Sequence, residues 1–134
     1  MAGKVMQVEL VAADRLVWSG EATMVIARTT EGDVGILPDH SPMLSLMVDG
    51  VVDVTTSEGE TWVAAVDSGF LSVAANRISI LSEHAQMSHE VDLETARADL
   101  ERCRAAGEVD DDAAQAAGRA WAEARIRAAE QSRS

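Results

Sequence analysis

The chain has 134 residues, 47% of them hydrophobic, with one cysteine and a formal net charge of −12. That length fits one ordinary domain, or a small domain with an appendage. The single cysteine, Cys103, excludes an internal disulfide and a cysteine-built metal cage. The acidity repels phosphate, so it disfavours nucleic acid and anionic lipid and favours a basic protein surface as partner. No apolar run approaches the roughly 18 residues of a membrane span and no signal pattern opens the chain, so a soluble, cytoplasmic protein without direct membrane insertion is expected.

The charge is uneven. Residues 1–90 carry four Lys/Arg against thirteen Asp/Glu, and residues 91–134 carry seven Arg against ten acids. The first part reads as short strands. Met6-Gln7-Val8-Glu9-Leu10 alternates apolar and polar residues, the period of a half-buried strand. The same period returns at Val52-Asp53-Val54-Thr55, Leu71-Ser72-Val73 and Ile78-Ser79-Ile80. Thr23–Ala27 and Trp62–Val66 are more uniformly apolar, as inner strands of a layered structure are. Turn signals fall at Asp14-Arg15, Ser19-Gly20, Asp49-Gly50, Ser57-Glu58-Gly59 and Ala75-Asn76-Arg77. Many short strands at this spacing predict an antiparallel β-sandwich or barrel.

One segment stands apart. Glu31–Pro42, EGDVGILPDHSP, holds two glycines and two prolines in twelve positions. Pro38 and Pro42 bracket a stiff loop around Asp39, His40 and Ser41, a shaped surface.

From Asp92 the period changes. Leu93, Ala96, Leu100 and Cys103 form one stripe of a helix, with Asp92 as N-cap and Gly107 as C-terminal stop. Asp110-Asp111-Asp112 caps a second helix, in which Ala114, Ala117, Trp121, Ala124 and Ala128 keep the same rhythm. The two make an antiparallel hairpin, so the chain divides into residues 1–88 and 89–134. An alanine seam buries little area, and the hairpin is therefore expected to be able to undock from the sandwich or open.

Catalytic readings fail on spacing. His84 and His89 are five apart and His40 lies elsewhere, so no metal set forms. His40-Ser41 and Asp67-Ser68 are chain neighbours, whose side chains point apart on an extended backbone. Gly32 and Gly35 are followed by no Gly-Lys-Ser/Thr, so there is no phosphate loop. The residues point to a non-enzyme without cofactor or metal.

The Trp18-Ser19-Gly20-Glu21-Ala22 turn, the GILPDHSP core, Asp49-Gly50-Val51, Gly69-Phe70, the Asn76–Leu81 strand and the helical tail together resemble the epsilon subunit of the rotary ATP synthase. That resemblance implies a ten-stranded antiparallel sandwich followed by a two-helix hairpin. It implies a non-catalytic stalk subunit that contacts the gamma subunit, the membrane c-subunit ring and, with the hairpin extended, the alpha/beta catalytic head. There the hairpin hinders ATP hydrolysis. The expected location is peripheral, on the cytoplasmic face of the bacterial plasma membrane. By the same resemblance Thr30, Glu31, Gly32 and Asp33 face the ring, and Asp39, His40, Ser41 and Pro42 lie near gamma. Arg119, Arg125 and Arg127 meet acidic surfaces of the head. The sequence departs from the family's ATP-binding pattern: Val91-Asp92-Leu93-Glu94-Thr95-Ala96 has Thr95 in place of the arginine, so ATP binding is expected to be weak or absent. Ser68 replaces a glycine common before Gly69. The alternative reading is a free-standing sandwich adaptor that dimerises through the Ala114–Ala128 stripe, and a remote third is a small hydrolase built on His40.

Overall fold

The computed structural model describes residues 4–107 and 113–133, with the side chains of 106, 107, 113–117, 132 and 133 outside the description. Nine strands come first: β1 (Met6–Val11), β2 (Leu16–Thr29), β3 (Gly32–Ile36), β4 (Met43–Met47), β5 (Gly50–Thr56), β6 (Thr61–Val66), β7 (Gly69–Ala74), β8 (Arg77–Ser82) and β9 (Ala85–Met87). A 3-10 turn, Ser88–Glu90, leads to α1 (Leu93–Gly107) and α2 (Ala113–Arg133). The expected cap at Asp110–Asp112 lies outside the described residues, and so do the side chains of Ala114 and Ala117.

One layer runs β1-β8-β7-β4, and the other runs β3-β2-β5-β6-β9. The fourteen-residue β2 belongs to both. Its first half pairs with β1 through Leu16–Ala22, and its second half pairs with β5 and β3. The β2–β5 register breaks between Ala22 and Met24, where the strand bends from one layer into the other. Counted as two halves, β2 brings the nine strands to the ten anticipated. The pairing is antiparallel throughout except at one place: β1 and β8 run parallel, from Gln7↔Arg77 to Val11↔Leu81. Two strands so far apart in sequence are free to meet in either direction, and alternation alone carries no sign of it.

The alternating strands bury the faces that their period foretells. Met6, Val8 and Leu10 of β1, Leu71 and Val73 of β7, and Ile78 and Ile80 of β8 are all buried between the layers. Strand β6 is apolar on both faces for a concrete reason. Ala64 and Val66 look into the sandwich, while Val63 and Ala65 pack under Trp121, Ala124 and Ala128 of α2. Helix α1 packs on α2, outside it. Asp92 caps α1, its Oδ1 accepting from the N–H groups of Glu94 (3.1 Å) and Thr95 (3.3 Å). These bonds hold the Asp92 carboxyl below its usual range. In this structure the hairpin lies folded down on the sandwich.

Candidate functional site

The two loops singled out in the sequence lie at opposite ends of the sandwich, separated by the length of β4, about 13 Å at the usual rise per strand residue. At one end, Thr30 and Glu31 turn the chain between β2 and β3. The buried Thr29 hydroxyl accepts from the Glu31 N–H (3.1 Å) and donates to the Gly32 carbonyl (2.9 Å). Gly32 sits at φ +114°, a conformation that L side chains rarely adopt. Thr30, Glu31, Gly32 and Asp33 are all exposed on this tip.

At the other end Asp39 adopts φ 68° and is clasped by the β7–β8 turn. Its N–H donates to Asn76 Oδ1 (2.5 Å), and Asn76 Nδ2 returns a bond to Asp39 Oδ1 (3.0 Å). Lys4 Nζ adds an ion pair at 2.7 Å. The lysine and the asparagine hold the Asp39 carboxyl below the ordinary range. His40 Nδ1 lies 2.7 Å from the Ser41 carbonyl, and the His40 N–H donates to the Leu37 carbonyl. The histidine is thus turned onto its own backbone and has no contact with the Ser41 hydroxyl. Ser41 and Pro42 are exposed beside it.

A third surface was not legible in the sequence reading. On the outer face of the β4-β7-β8-β1 layer, Leu46 pairs with Phe70, Phe70 with Leu81, Leu81 with Val11, and Val11 with Leu16. This is one apolar row across five strands, about 19 Å long at the ordinary strand spacing. Leu16, Leu46, Phe70 and Leu81 are each about half exposed, and Leu44 stands beside the row at 74%. The helices cover the opposite layer, so the row faces solvent. The available signal was MLSLM at 43–47, a strand with no polar face except Ser45. Gly69 sets the spacing here. A Cβ at that position would stand 1.9 Å from the Leu81 carbonyl oxygen, so only glycine lets β7 approach β8 at this point.

The hairpin arginines divide. Arg119 and Arg127 are exposed. Arg125 is not: its side chain is 13% exposed, pairs with Asp99 of α1 at 2.6 Å and lies over the Trp121 ring at 5.7 Å. Arg97, two residues past Thr95, pairs with Glu130 at 3.3 Å, and Thr95 is exposed on the first turn of α1.

His84 is the other histidine with a defined role. Its Nδ1 lies 2.6 Å from Asp67 Oδ2, and its ring packs against Trp121 at 5.8 Å. Asp67, Glu83 and His84 bring ligand-type atoms within 4.8 Å of one another. Both Asp67 oxygens are already engaged, Oδ1 by the Ser82 hydroxyl (2.5 Å) and the His84 N–H (2.8 Å), Oδ2 by the imidazole. The group is therefore a structural clamp between the β8–β9 turn and α2. His89 packs edge-on against Trp62.

Residues 5–88 match the family model of the ATP synthase delta/epsilon chain, beta-sandwich domain. The ATP synthase epsilon chain of Streptomyces avermitilis is 53% identical over 103 residues, 77% of this chain and 83% of that one. That of Streptomyces griseus is 47% identical over 123 residues, 92% and 94% of the two chains. Rhodococcus opacus contributes a third, 52% identical over 96 residues, 71% of this chain and 79% of its own. Among solved structures, a chain of the Euglena gracilis mitochondrial ATP synthase (OSCP/F1/c-ring) superposes with a TM-score of 0.79 at 21% identity, covering 100% of this chain and 84% of that one. A chain of the Tetrahymena thermophila mitochondrial central stalk and c-ring gives 0.60 at 16%, covering all of both. At those identities the structures speak for the fold, and the sequence matches carry the family: the chain belongs to the ATP synthase epsilon chain family.

Proposed function

We propose that the chain is a non-catalytic rotor-stalk subunit that docks through its sandwich and regulates through its hairpin. The observation that carries the docking role is the apolar row Leu46–Phe70–Leu81–Val11–Leu16. A row of this size open to water marks a protein interface, and the gamma subunit is its partner in this reading. Asp39, His40, Ser41 and Pro42, at the far end of the same layer, extend that contact with polar groups. Thr30, Glu31, Gly32 and Asp33 offer an exposed acidic tip to basic loops of the c-subunit ring. The subunit thereby couples proton flow through the ring to ATP synthesis. It sits peripherally at the cytoplasmic face of the bacterial plasma membrane, and no described helix is long and apolar enough to cross one.

Residues 89–134 act in this reading as a second unit. The apolar part of their hold on the sandwich is Trp121 and two alanines against Val51, Val63 and Ala65, a small seam that supports reversible undocking. Extended, the hairpin presents Arg119 and Arg127, and Arg125 once freed from Asp99, to acidic surfaces of the alpha/beta head and hinders ATP hydrolysis. Single exposed ion pairs are weak, so the brake needs several. With Thr95 in the arginine position and Arg97 drawn to Glu130, the hairpin binds ATP weakly or not at all.

Truncation after Glu90 tests the regulatory half. The assembled enzyme should form normally and hydrolyse ATP faster than the full-length form, and an unchanged rate with intact assembly would refute the brake.

A further inference from the structure

Between the first half of β2 and the β5–β6 turn lies an open groove of about 270 Å³, lined by two indoles, Trp18 and Trp62, and three carboxylates, Glu21, Glu58 and Glu60. It shares no residue with the apolar row, and among the described residues none of α1 or α2 lines it. Its walls are fixed. Both indoles pack against the buried core of the sandwich. Gly20 gives Trp18 its place, since a Cβ there would stand 2.9 Å from the indole Cη2. The turn that carries the acids is tied at several points. The Thr56 N–H donates to the Glu60 carbonyl (2.7 Å), and the Glu60 N–H donates to the Thr56 hydroxyl (3.1 Å). The Gly59 N–H donates to the Thr56 carbonyl (3.0 Å), and the Ser57 N–H joins the turn to the Glu21 carbonyl (3.4 Å).

The charges that line the groove are of one sign only. Among the described residues no Lys, Arg or His forms an ion pair with Glu21, Glu58 or Glu60. Glu21 accepts only a long bond from Gln7 Nε2, 3.4 Å. Three negative charges beside two aromatic walls select a cation, and they select its kind. A guanidinium is planar and weakly hydrated, stacks on indole and reaches two carboxylates at once, whereas an ammonium is compact and strongly hydrated. We propose that this groove receives an arginine side chain presented by a protein partner, at a contact separate from the apolar row.

The probe is a short glycine peptide carrying two arginines, titrated into the full chain while the indole N–H resonances of Trp18, Trp62 and Trp121 are followed by NMR. The expected result is saturable movement of Trp18 and Trp62 with Trp121 unmoved, and no movement with the peptide in which citrulline, neutral and of the same shape, replaces arginine. The double variant Glu58→Gln/Glu60→Gln lies on an exposed turn, keeps the fold and should weaken binding at least tenfold. Glu94→Gln/Glu101→Gln removes the same charge from exposed sites on α1 and should change it less than twofold. Equal weakening by the two double variants would show attraction to net charge alone and overturn the proposal, as would a still Trp18 and Trp62.

Discussion

Phe70→Ala separates docking from folding. Phe70 stands 50% exposed in the row, paired with Leu46 on one side and Leu81 on the other. A phenylalanine presents on the order of 200 Å² of apolar area, so roughly 100 Å² waits for a partner, and truncation to a methyl removes about 80 Å² of that. At about 25 cal/mol per Å² the loss is about 2 kcal/mol of binding, or roughly thirtyfold in Kd. Affinity for epsilon-depleted ATPase, measured by biolayer interferometry beside the melting temperature of the free subunit, reads both quantities. The expected outcome is a Kd raised about thirtyfold with the variant still folded at the assay temperature. A Kd within twofold of the parent would refute the assignment of this face as the docking surface.

Three further changes probe the scaffold. Gly69→Ala forces a methyl onto the Leu81 carbonyl oxygen and should cost about 2–4 kcal/mol, seen as a lower urea midpoint. Ala75→Gly should stabilise by about 1 kcal/mol, raising the melting temperature a few degrees, because Ala75 and Asn76 both hold positive φ (51° and 59°) in a two-residue hairpin turn that glycine enters freely. Asp99→Asn should loosen the hairpin by about 1–2 kcal/mol at neutral pH, followed through Trp121 fluorescence. The Arg125 guanidinium holds the Asp99 carboxyl below the ordinary range, so the pair's contribution is full above the unfolded carboxylate value near 4 and fades as pH falls below it. The difference between parent and variant should therefore shrink as pH falls below about 4, and a difference that stays constant down to pH 2 would refute the linkage.

Much of the scaffold was legible because strand period, turn residues and helix caps are local signals. Met6-Gln7-Val8-Glu9-Leu10 sorts its faces as its alternation requires, and Asp92 caps the helix that its position announces. What escaped depends on strands meeting across the fold. The parallel β1–β8 pair joins residues some seventy apart, and the apolar row exists only once five strands align in register. Leu46, Phe70 and Leu81 each read alone as ordinary strand residues. Single exposed leucines mean little; their alignment carries the meaning. The same limit hid Arg125, whose arginine neighbours on α2 face water while it is held by an acid of the other helix.

The hairpin's two interfaces differ in chemistry, and the difference orders their separation. Helix α1 is joined to α2 by small buried residues, Ala96 and Ala122 among them, and by ion pairs, Asp99–Arg125 and Arg97–Glu130, and salt weakens the ion pairs. Helix α2 meets the sheet through apolar contacts, Trp121, Ala124 and Ala128, which salt does not weaken. Polar groups also meet across that second seam, Gln131 bonding Asp53, whose carboxyl is pushed up by burial and drawn down by the Gln131 bond, and His84 packing on Trp121. In the proposed undocking, the ion pairs that low salt preserves keep α1 on α2, so the two helices are expected to leave the sandwich together. Leaving in that way keeps Arg125 on Asp99, so a second step, parting the helices, is needed before the third arginine can engage anything else.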